Sequence, residues 1–444
     1  MTKDPGRHRC TPAHDRLTAP PRLLFINSGS PKKRLTFDAA TRLGLQIYLI
    51  NPAPNWSVEY AHRSIYTQGR SLPEIVAIAE QLHRAEPLQG VVTFWEEDVP
   101  TCALVARRLR LPGNSFSAAF NARSKFRMRQ ALQRGGVPVP AFCQVDSPES
   151  LQRACARVGL PAILKPEWGA DSEWVVRIDS VQQALDILAD FSQRVRVQDC
   201  IYPYKTGKFV LEGLLEGPEV SVEGVVQHGT VSLYAIIDKA KMNDASFIER
   251  GECTPSRLPA ATQEAIKAMV CRGVKALGLT HCGIHAEVKI TRAGPRIVEI
   301  GARMGGDCIH ALVKRVYGID LAEENIRVAL NQPVHPPAAA HGCGISRTLV
   351  PERPGRVYLQ AVNPHKPLRR SPHLIEVVLT KNPGDAVMVP PDGYDNLAWI
   401  SVWGCNYRDA EKRLETRTRR LENAFVIQSE ESTVGTAACS SPSF

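Results

Sequence analysis

From Arg22 the chain alternates compact apolar runs with amphipathic stretches: RLLFIN, a helical pattern near Leu35 to Leu43, LQIYLI, a second helix near Leu72 to Arg84, then GVVTFW. Short apolar strands separated by single helices predict a parallel sheet covered by helices, and the pattern places this α/β domain at residues 21–118. Between Asn121 and Gln332 the strands lengthen and alternate apolar with polar positions, which predicts sheets with one buried face and one working face. Chemistry is expected there, in a second domain over residues 119–332. After the Pro- and Ala-rich stretch PVHPPAAAHG, residues 341–428 carry short strands, a helix at Asp409 to Leu421 and a last strand, AFVI. The ends, residues 1–20 and 429–444, are rich in charged, Pro and small residues and are expected to be disordered tails. The resulting fold class is α/β and α+β: an N-terminal parallel α/β domain, a central domain, and a small C-terminal β-rich region.

The polar faces of the central strands carry the candidate chemistry. In HCGIHAEVKI, Cys282, Ile284, Ala286, Val288 and Ile290 fall on one side, and His285, Glu287 and Lys289 share the other. In PRIVEIGAR the same period sets Val298, Ile300 and Ala302 against Glu299, Gly301 and Arg303. Gly294 and Pro295 lie between the two runs, so they are expected to form a hairpin. Two carboxylates on neighbouring strands repel unless a cation sits between them, and Glu287 with Glu299 suits hard Mg²⁺. Lys289 and Arg303 then supply charge for phosphate or carboxylate oxygens. A solvated sheet face with cross-strand salt bridges has the same pattern, and alternation alone does not decide between the two. KFVLEGLLEGPEVSVEGVV reads as a third strand pair, with Glu219, Ser221 and Glu223 facing away from Val220, Val222 and Val226. Upstream, PAILKP ends a strand at Lys165, and the small residues Gly169, Ala170 and Ser172 come next in a loop suited to closing over phosphates.

Composition narrows the function classes. The net charge is +10, but the bases are spread out, and the densest run, Glu411 to Arg420, mixes acids with bases as a solvated helix face does. This argues against nucleic acid as a partner. No apolar run approaches the roughly 20 residues of a membrane helix. The 12 cysteines are scattered from Cys10 to Cys439 with no Cys-x-x-Cys pair, which suggests reduced cytoplasmic thiols. His281, Cys282 and His285 lack further ligands at zinc spacing. In ARMGGDCIHALVKRVYG, Asp307 stands where a helix N-cap is expected.

Four blocks in order, NARSKFRMRQALQRGGVPVPAF, PAILKPEWGADSEWVV, FVLEGLLEGPEVSVEGVV, and HAEVKI with VEIGARMGGD, resemble the ATP-grasp superfamily. Within it they are most similar to the L-amino acid ligase branch, which includes dipeptide-forming and carnosine-synthase-like enzymes. The resemblance spans about residues 119–331 and implies a two-lobed ATP-grasp domain. It implies an ADP-forming ligase that uses ATP and Mg²⁺, or Mn²⁺ in its place, to convert a carboxylate into an acyl phosphate and couple it to an amine. By motif, Lys125 and Lys165 look like the lysines that hold the α and β phosphates, and Gly169 to Glu173 like the loop that covers them. Glu212 is similar to the acid that accepts from the adenine amino group, the backbone near Leu214 to the reader of the ring edge, and Glu219 to the ribose acid. Glu287 and Glu299 match the metal ligands, Arg303 the arginine that steadies the acyl phosphate, and Lys289 shares the nucleotide face. His285, Gly305 and Asp307 are expected at the substrate pocket, where a short acid at 307 leaves room for a cationic group. Small-molecule substrates are the expected partners, with neither nucleic acid nor membrane, and a homodimer is an assembly compatible with the reading.

Two positions depart from the wider pattern. Gly301 stands where many ATP-grasp enzymes have a metal-binding Asn, as it often does in this branch, and Glu173 and Trp174 replace the Gly that usually follows the loop serine. The rival readings are another ATP-grasp reaction, such as a carboxylase or purine-pathway ligase, and a non-catalytic basic binding protein.

Overall fold

Leu23, Leu24, Phe25 and Ile26 are all buried in β1 (Arg22–Ile26), as a parallel strand covered on both faces requires. The computed structural model describes residues 19–428 apart from 68–70, 171, 195–206, 241–246, 248, 360–370, 390–391 and 394. Except for residues 19 and 20, the two expected tails lie outside the described residues. β1 joins β2 (Gln46–Asn51), β3 (Arg63–Tyr66) and β4 (Gly90–Val92) in a four-stranded parallel sheet of order β3-β2-β1-β4. Its connecting helices are α1 (Arg34–Arg42), α2 (Leu72–Ala85) and α3 (Val99–Leu109). Leu24 and Ile26 pack with Ile75, Ala79 and Leu82, whereas Leu23 and Phe25 share a core with Val225, Tyr234 and Ile326 of the central domain. A common apolar layer therefore fixes the N-terminal sheet to that domain.

α4 (Phe116–Arg123) and α5 (Lys125–Arg134) lead into an antiparallel sheet of order β5-β8-β6-β7. Its strands are β5 (Phe142–Val145), β6 (Ala162–Pro166), β7 (Val176–Ile178) and β8 (Phe209–Gly213), covered by α6 (Pro148–Val158) and α7 (Val181–Arg194). An eight-stranded sheet comes next in the chain. It begins with β9 (Glu219–Gln227), β10 (Thr230–Lys239), β11 (Glu252–Thr254), the helix α8 (Ala260–Leu277), β12 (His281–Thr291) and β13 (Gly294–Gly301). α8 covers one face through Ile266 and Val270, while α9 (Ile309–Tyr317) and α10 (Leu321–Ala329) cover part of the other.

The C-terminal region does not stand apart from this sheet. β14 (Cys343–Leu349) continues it, and after β15 (Gly355–Leu359) the chain adds β16 (Leu374–Leu379) and, beyond β17 (Ala386–Val387), β18 (Ala398–Gly404). α11 (Tyr407–Glu422) buries Ala410, Leu414, Thr418 and Leu421 at helical spacing, which leaves its dense charges in solvent as expected. β19 (Phe425–Gln428) closes a three-stranded sheet of order β17-β15-β19. Among the described residues no helix is long and apolar enough to cross a membrane.

Two strand readings need correction. The run from Phe209 to Val226 is not a strand pair: β8 lies in the small sheet and β9 in the large one, so residues 214–218 carry the chain between them. Gly217, at φ 134°, makes that crossing feasible, since a Cβ there would lie 2.1 Å from the Ile290 carbonyl. The expected β12–β13 hairpin forms, but a bulge shifts its register, with Glu287 opposite Glu299 and Val288 opposite Ile297. The bulge reverses the phase: Ile297 and Ile300 enter the core, while Val298 joins Glu299 on the cavity side instead of facing away from it.

Arg129 of α5, 1% exposed, ties these features together. It donates to both oxygens of Glu212 on β8, at 2.8 and 3.1 Å, and to the Ile297 and Val298 carbonyls of the bulge, at 3.2 and 2.9 Å. Replacing Arg129 with Met strands two carbonyls and removes a buried charge partner. Urea unfolding is expected to show a loss of about 3 kcal/mol, and a loss within error of zero would refute this bracing role.

Candidate active site

A cavity of about 510 Å³ opens between the small and large antiparallel sheets. Lys125, Lys165, Gly169, Ser172, Glu212, Leu214, Glu219, His285, Glu287, Lys289, Glu299, Arg303 and Asp307 all line it, whereas Gly305 and Glu223 stand behind the wall. Lys32 and Glu96 reach it from the N-terminal domain, and Thr348, Thr380 and Asp395 from the C-terminal region.

On the small sheet, β6 and β8 pair so that the Lys165 ammonium meets Glu212 directly. Burial opposes ionisation of Glu212, but Arg129 and Lys165 prevail and hold its carboxyl at about 2. Burial also pushes Lys165 below the usual lysine range, against the pull of Glu212. Lys125, at the start of α5, donates to the Gly169 carbonyl at 2.8 Å and lies 3.1 Å from Glu299, so one ammonium links the covering loop to the large sheet. That loop turns through left-handed backbone at Ser172 (φ 58°) and Trp174 (φ 61°) despite lacking a glycine after its serine.

On the large sheet, cross-strand register stacks the polar face: Lys289 is opposite Glu219, Glu287 opposite Ser221 on one side and Glu299 on the other, and His285 opposite Glu223. Lys239, at the end of β10, carries no signal in the sequence. Its ammonium lies 3.0 Å from Glu219 and 2.5 Å from Glu287, and also meets Glu249. Despite burial, the three acids raise Lys239 well above the ordinary lysine range. Oxygens of Glu219, Glu249 and Glu287 come within 4.8 Å of one another, whereas Glu299 turns to Lys125. Such hard oxygen donors fit a cation of the Mg²⁺ type. Strand alternation hides Lys239, because Ala235 and Ile237 before it on that face are core residues.

The half-buried His285 pairs with the buried Glu223 at 2.5 Å, and the other Glu223 oxygen accepts from the Gly305 N–H at 2.9 Å. A Cβ on Gly305 would lie 2.8 Å from Glu223 and 3.0 Å from the His285 ring, so glycine is what lets the backbone approach. Arg303 is held by Glu96, from the segment after β4, and donates to the Met304 carbonyl at 2.8 Å. Burial disfavours the Glu96 carboxylate, yet Arg303 and Arg123 keep it below the usual carboxylate range. Glu96 carries no periodic signal in the sequence. Asp307 is not a helix cap: Cys308 occupies the N-cap of α9 without a side-chain cap bond, and Asp307, at φ 43°, lines the cavity. His281 bonds to His228 at 3.2 Å, whereas His285 pairs with Glu223, so the two histidines do not converge on a metal.

Known proteins resemble this chain in each of its three parts. Residues 37–113 match the ATP-grasp N-terminal domain, residues 158–311 the ATP-grasp domain and residues 347–424 the L-amino acid ligase C-terminal domain 2. Carnosine synthase 1 of Mus musculus is 27% identical over 345 residues, covering 73% of this chain and 42% of its own length. This chain thus spans less than half of that relative. The alanine–anticapsin ligase of Bacillus subtilis (strain 168) is 29% identical over 269 residues, 55% of each protein. The crystal structure of L-amino acid ligase from Bacillus licheniformis superposes with a TM-score of 0.80 at 22% identity, covering 92% of this chain and 99% of that one.

The His285 pair has a pH signature. Burial works against its charge, but Glu223 and Glu287 raise the imidazole from 6.5 to about 10. A raised folded value means the pair stabilises fully below 6.5 and loses that contribution as pH climbs toward 10. Melting temperature should therefore fall across this alkaline range in the wild type and fall less in Glu223→Gln. Parallel curves would contradict the assignment.

Proposed function

We propose that this chain, an ATP-grasp protein with the C-terminal domain of the L-amino acid ligases, joins a carboxylate to an amine through an acyl phosphate, using ATP. The observation that carries the reading is the convergence of Lys125, Lys165, Lys289 and Arg303 with the opposed acids Glu287 and Glu299 in one cavity between two sheets. The names of its relatives, carnosine synthase and alanine–anticapsin ligase, support an amino acid among the substrates. The domain match at residues 347–424 favours this chemistry over a carboxylase or purine-pathway reaction on the same fold.

In this mechanism the adenine lies against the backbone near Leu214, Glu219 accepts from the ribose, and Lys125 and Lys165 draw in the phosphates. Glu212, with both oxygens engaged by Arg129 and Lys165, chiefly orients the Lys165 ammonium. Glu287 and Glu299, with Glu219 and Glu249 nearby, would hold Mg²⁺, which when bound offsets phosphate charge. The substrate carboxylate attacks the γ-phosphorus in line, the bond to the β-phosphate oxygen breaks, and ADP forms. The amine then attacks the acyl carbon, Arg303 opposes the charge developing on the carbonyl oxygen, and phosphate leaves. Glu96 keeps Arg303 pointed at that oxygen. The Gly169 to Glu173 loop excludes water that would hydrolyse the acyl phosphate. The reduced cytoplasm suits a chain whose described cysteines are all free.

A phosphate-release screen with ATP, Mg²⁺ and pairs of amino acids, read with mass spectrometry, tests the reading. Coupling should yield ADP and phosphate, whereas AMP and pyrophosphate would indicate an adenylating enzyme and overturn it. Glu299→Ala is expected to abolish turnover while leaving the melting temperature nearly unchanged, because its carboxylate serves charge balance more than packing. For Lys165→Ala we expect a fall in kcat/KM for ATP of at least about a hundredfold. Near wild-type phosphate release by either variant would remove that residue from the mechanism.

A further inference from the structure

Where β11, β14 and the start of α9 wall the cavity, its lining turns acidic. Elsewhere the carboxylates have cations: Glu212 has Arg129 and Lys165, Glu219, Glu249 and Glu287 share Lys239, Glu299 has Lys125, and Glu96 has Arg303. Among the described residues neither Glu252 nor Asp307 makes an ion pair, although both line the cavity. Glu252, 5% exposed, accepts only from the Cys308 thiol at 2.9 Å and, at the limit of hydrogen bonding, from Ser346 at 3.5 Å. Burial, with Glu249 and Asp307 adding repulsion, pushes its carboxyl up to about 8. Burial likewise raises Glu376 on β16 to about 7, again with Asp307 contributing. Asp307 thus acts on three acids, the buried Glu252 and the half-buried Glu249 and Glu376, from an exposed position on the cavity wall.

The resident cations leave both acids without an ion pair among the described residues, although Lys239 draws the Glu252 value down in part. Lys239 is already shared among three other acids, and Lys32 lies over the Trp399 ring, 4.7 Å from its centre, without an ion pair to Glu252 or Asp307. A wall of this kind disfavours a substrate anion and rewards a cation, because an ammonium or guanidinium draws Glu252 into its ionised form and gains partners that a neutral isostere leaves unmatched.

We infer that the Glu252 and Asp307 wall receives a cationic side chain, so that one substrate is an amino acid bearing a guanidinium or ammonium group. The inference rests on the ligase reading, which makes this the substrate cavity; what it adds is the charge of the substrate. It also gives Asp307, in its left-handed turn, a role that capping does not.

Calorimetry on the full chain tests the inference, with arginine against citrulline and lysine against norleucine, in the presence and absence of Mg²⁺ and a non-hydrolysable ATP analogue. The cationic member of each pair should bind at least about tenfold tighter. Asp307→Asn and Glu252→Gln should each reduce that ratio at least about threefold while leaving binding of the ATP analogue unchanged, and Asp307→Asn, at an exposed position, should retain its melting temperature. Equal binding within each pair, or a ratio untouched in both variants, would overturn the inference and leave the ligase reading standing. Failure of the analogue to bind, with no phosphate released from any pair, would instead sink the ligase reading, and the arms without nucleotide would still report whether the wall selects for charge.

Discussion

The cavity depends on one guanidinium. Arg129 is almost wholly buried between a carboxylate of the small sheet and two carbonyls of the large one. A bulge in β13 leaves those carbonyls outside the regular ladder, and a rigid planar fork can satisfy them while gripping Glu212 with both arms. Lys could not do this, having a single point of attachment. Glu212, fixed in this way, sets the position of Lys165, so a backbone irregularity on one sheet determines where an ammonium stands on the other. The order of cause runs from bulge to arginine to carboxylate to lysine.

Burying so many charges between two sheets is costly unless each is paired, because desolvation can exceed the Coulombic gain. The molecule meets this with shared cations: Lys239 serves three acids, and Lys125 divides itself between Glu299 and the Gly169 carbonyl. Under the ligase reading a bound triphosphate competes with these acids for the lysines. A divalent cation at the acids then restores the balance, which explains why donors that suit Mg²⁺ and lysines that suit phosphate occupy the same few ångströms. Among the described residues, Glu252 and Asp307 line the cavity without an ion pair.

Strand alternation located much of this site because a polar face repeated every second residue is legible without tertiary information. It placed His285, Glu287 and Lys289 together correctly, and likewise Glu219 and Glu223. It failed at Val298, since a bulge inserts one residue without any compositional mark, and at the junction of β8 and β9, where two runs that read as one hairpin belong to different sheets. Lys239 was masked by apolar neighbours on its own face, and Arg129 by its helix, where a basic residue normally reads as solvated. Asp307 followed a sound local rule for caps, but the helix starts one residue later than that rule requires. Each miss lies where a partner distant in sequence decides the role of a residue.

The N-terminal sheet carries no nucleotide fingerprint, yet it reaches the cavity through Glu96. That residue follows β4, and Val92 and Phe94 just before it sit in the apolar layer shared with Val225, Tyr234 and Ile326. Packing between the two parts of the chain therefore fixes the carboxylate that holds Arg303. An arginine secured only by its own strand could turn toward any of the cavity acids, of which Glu299 and Asp307 are near in sequence. Anchoring it from outside the central domain leaves those acids to other partners, and makes the orientation of a guanidinium on the cavity wall a property of how the domains are joined.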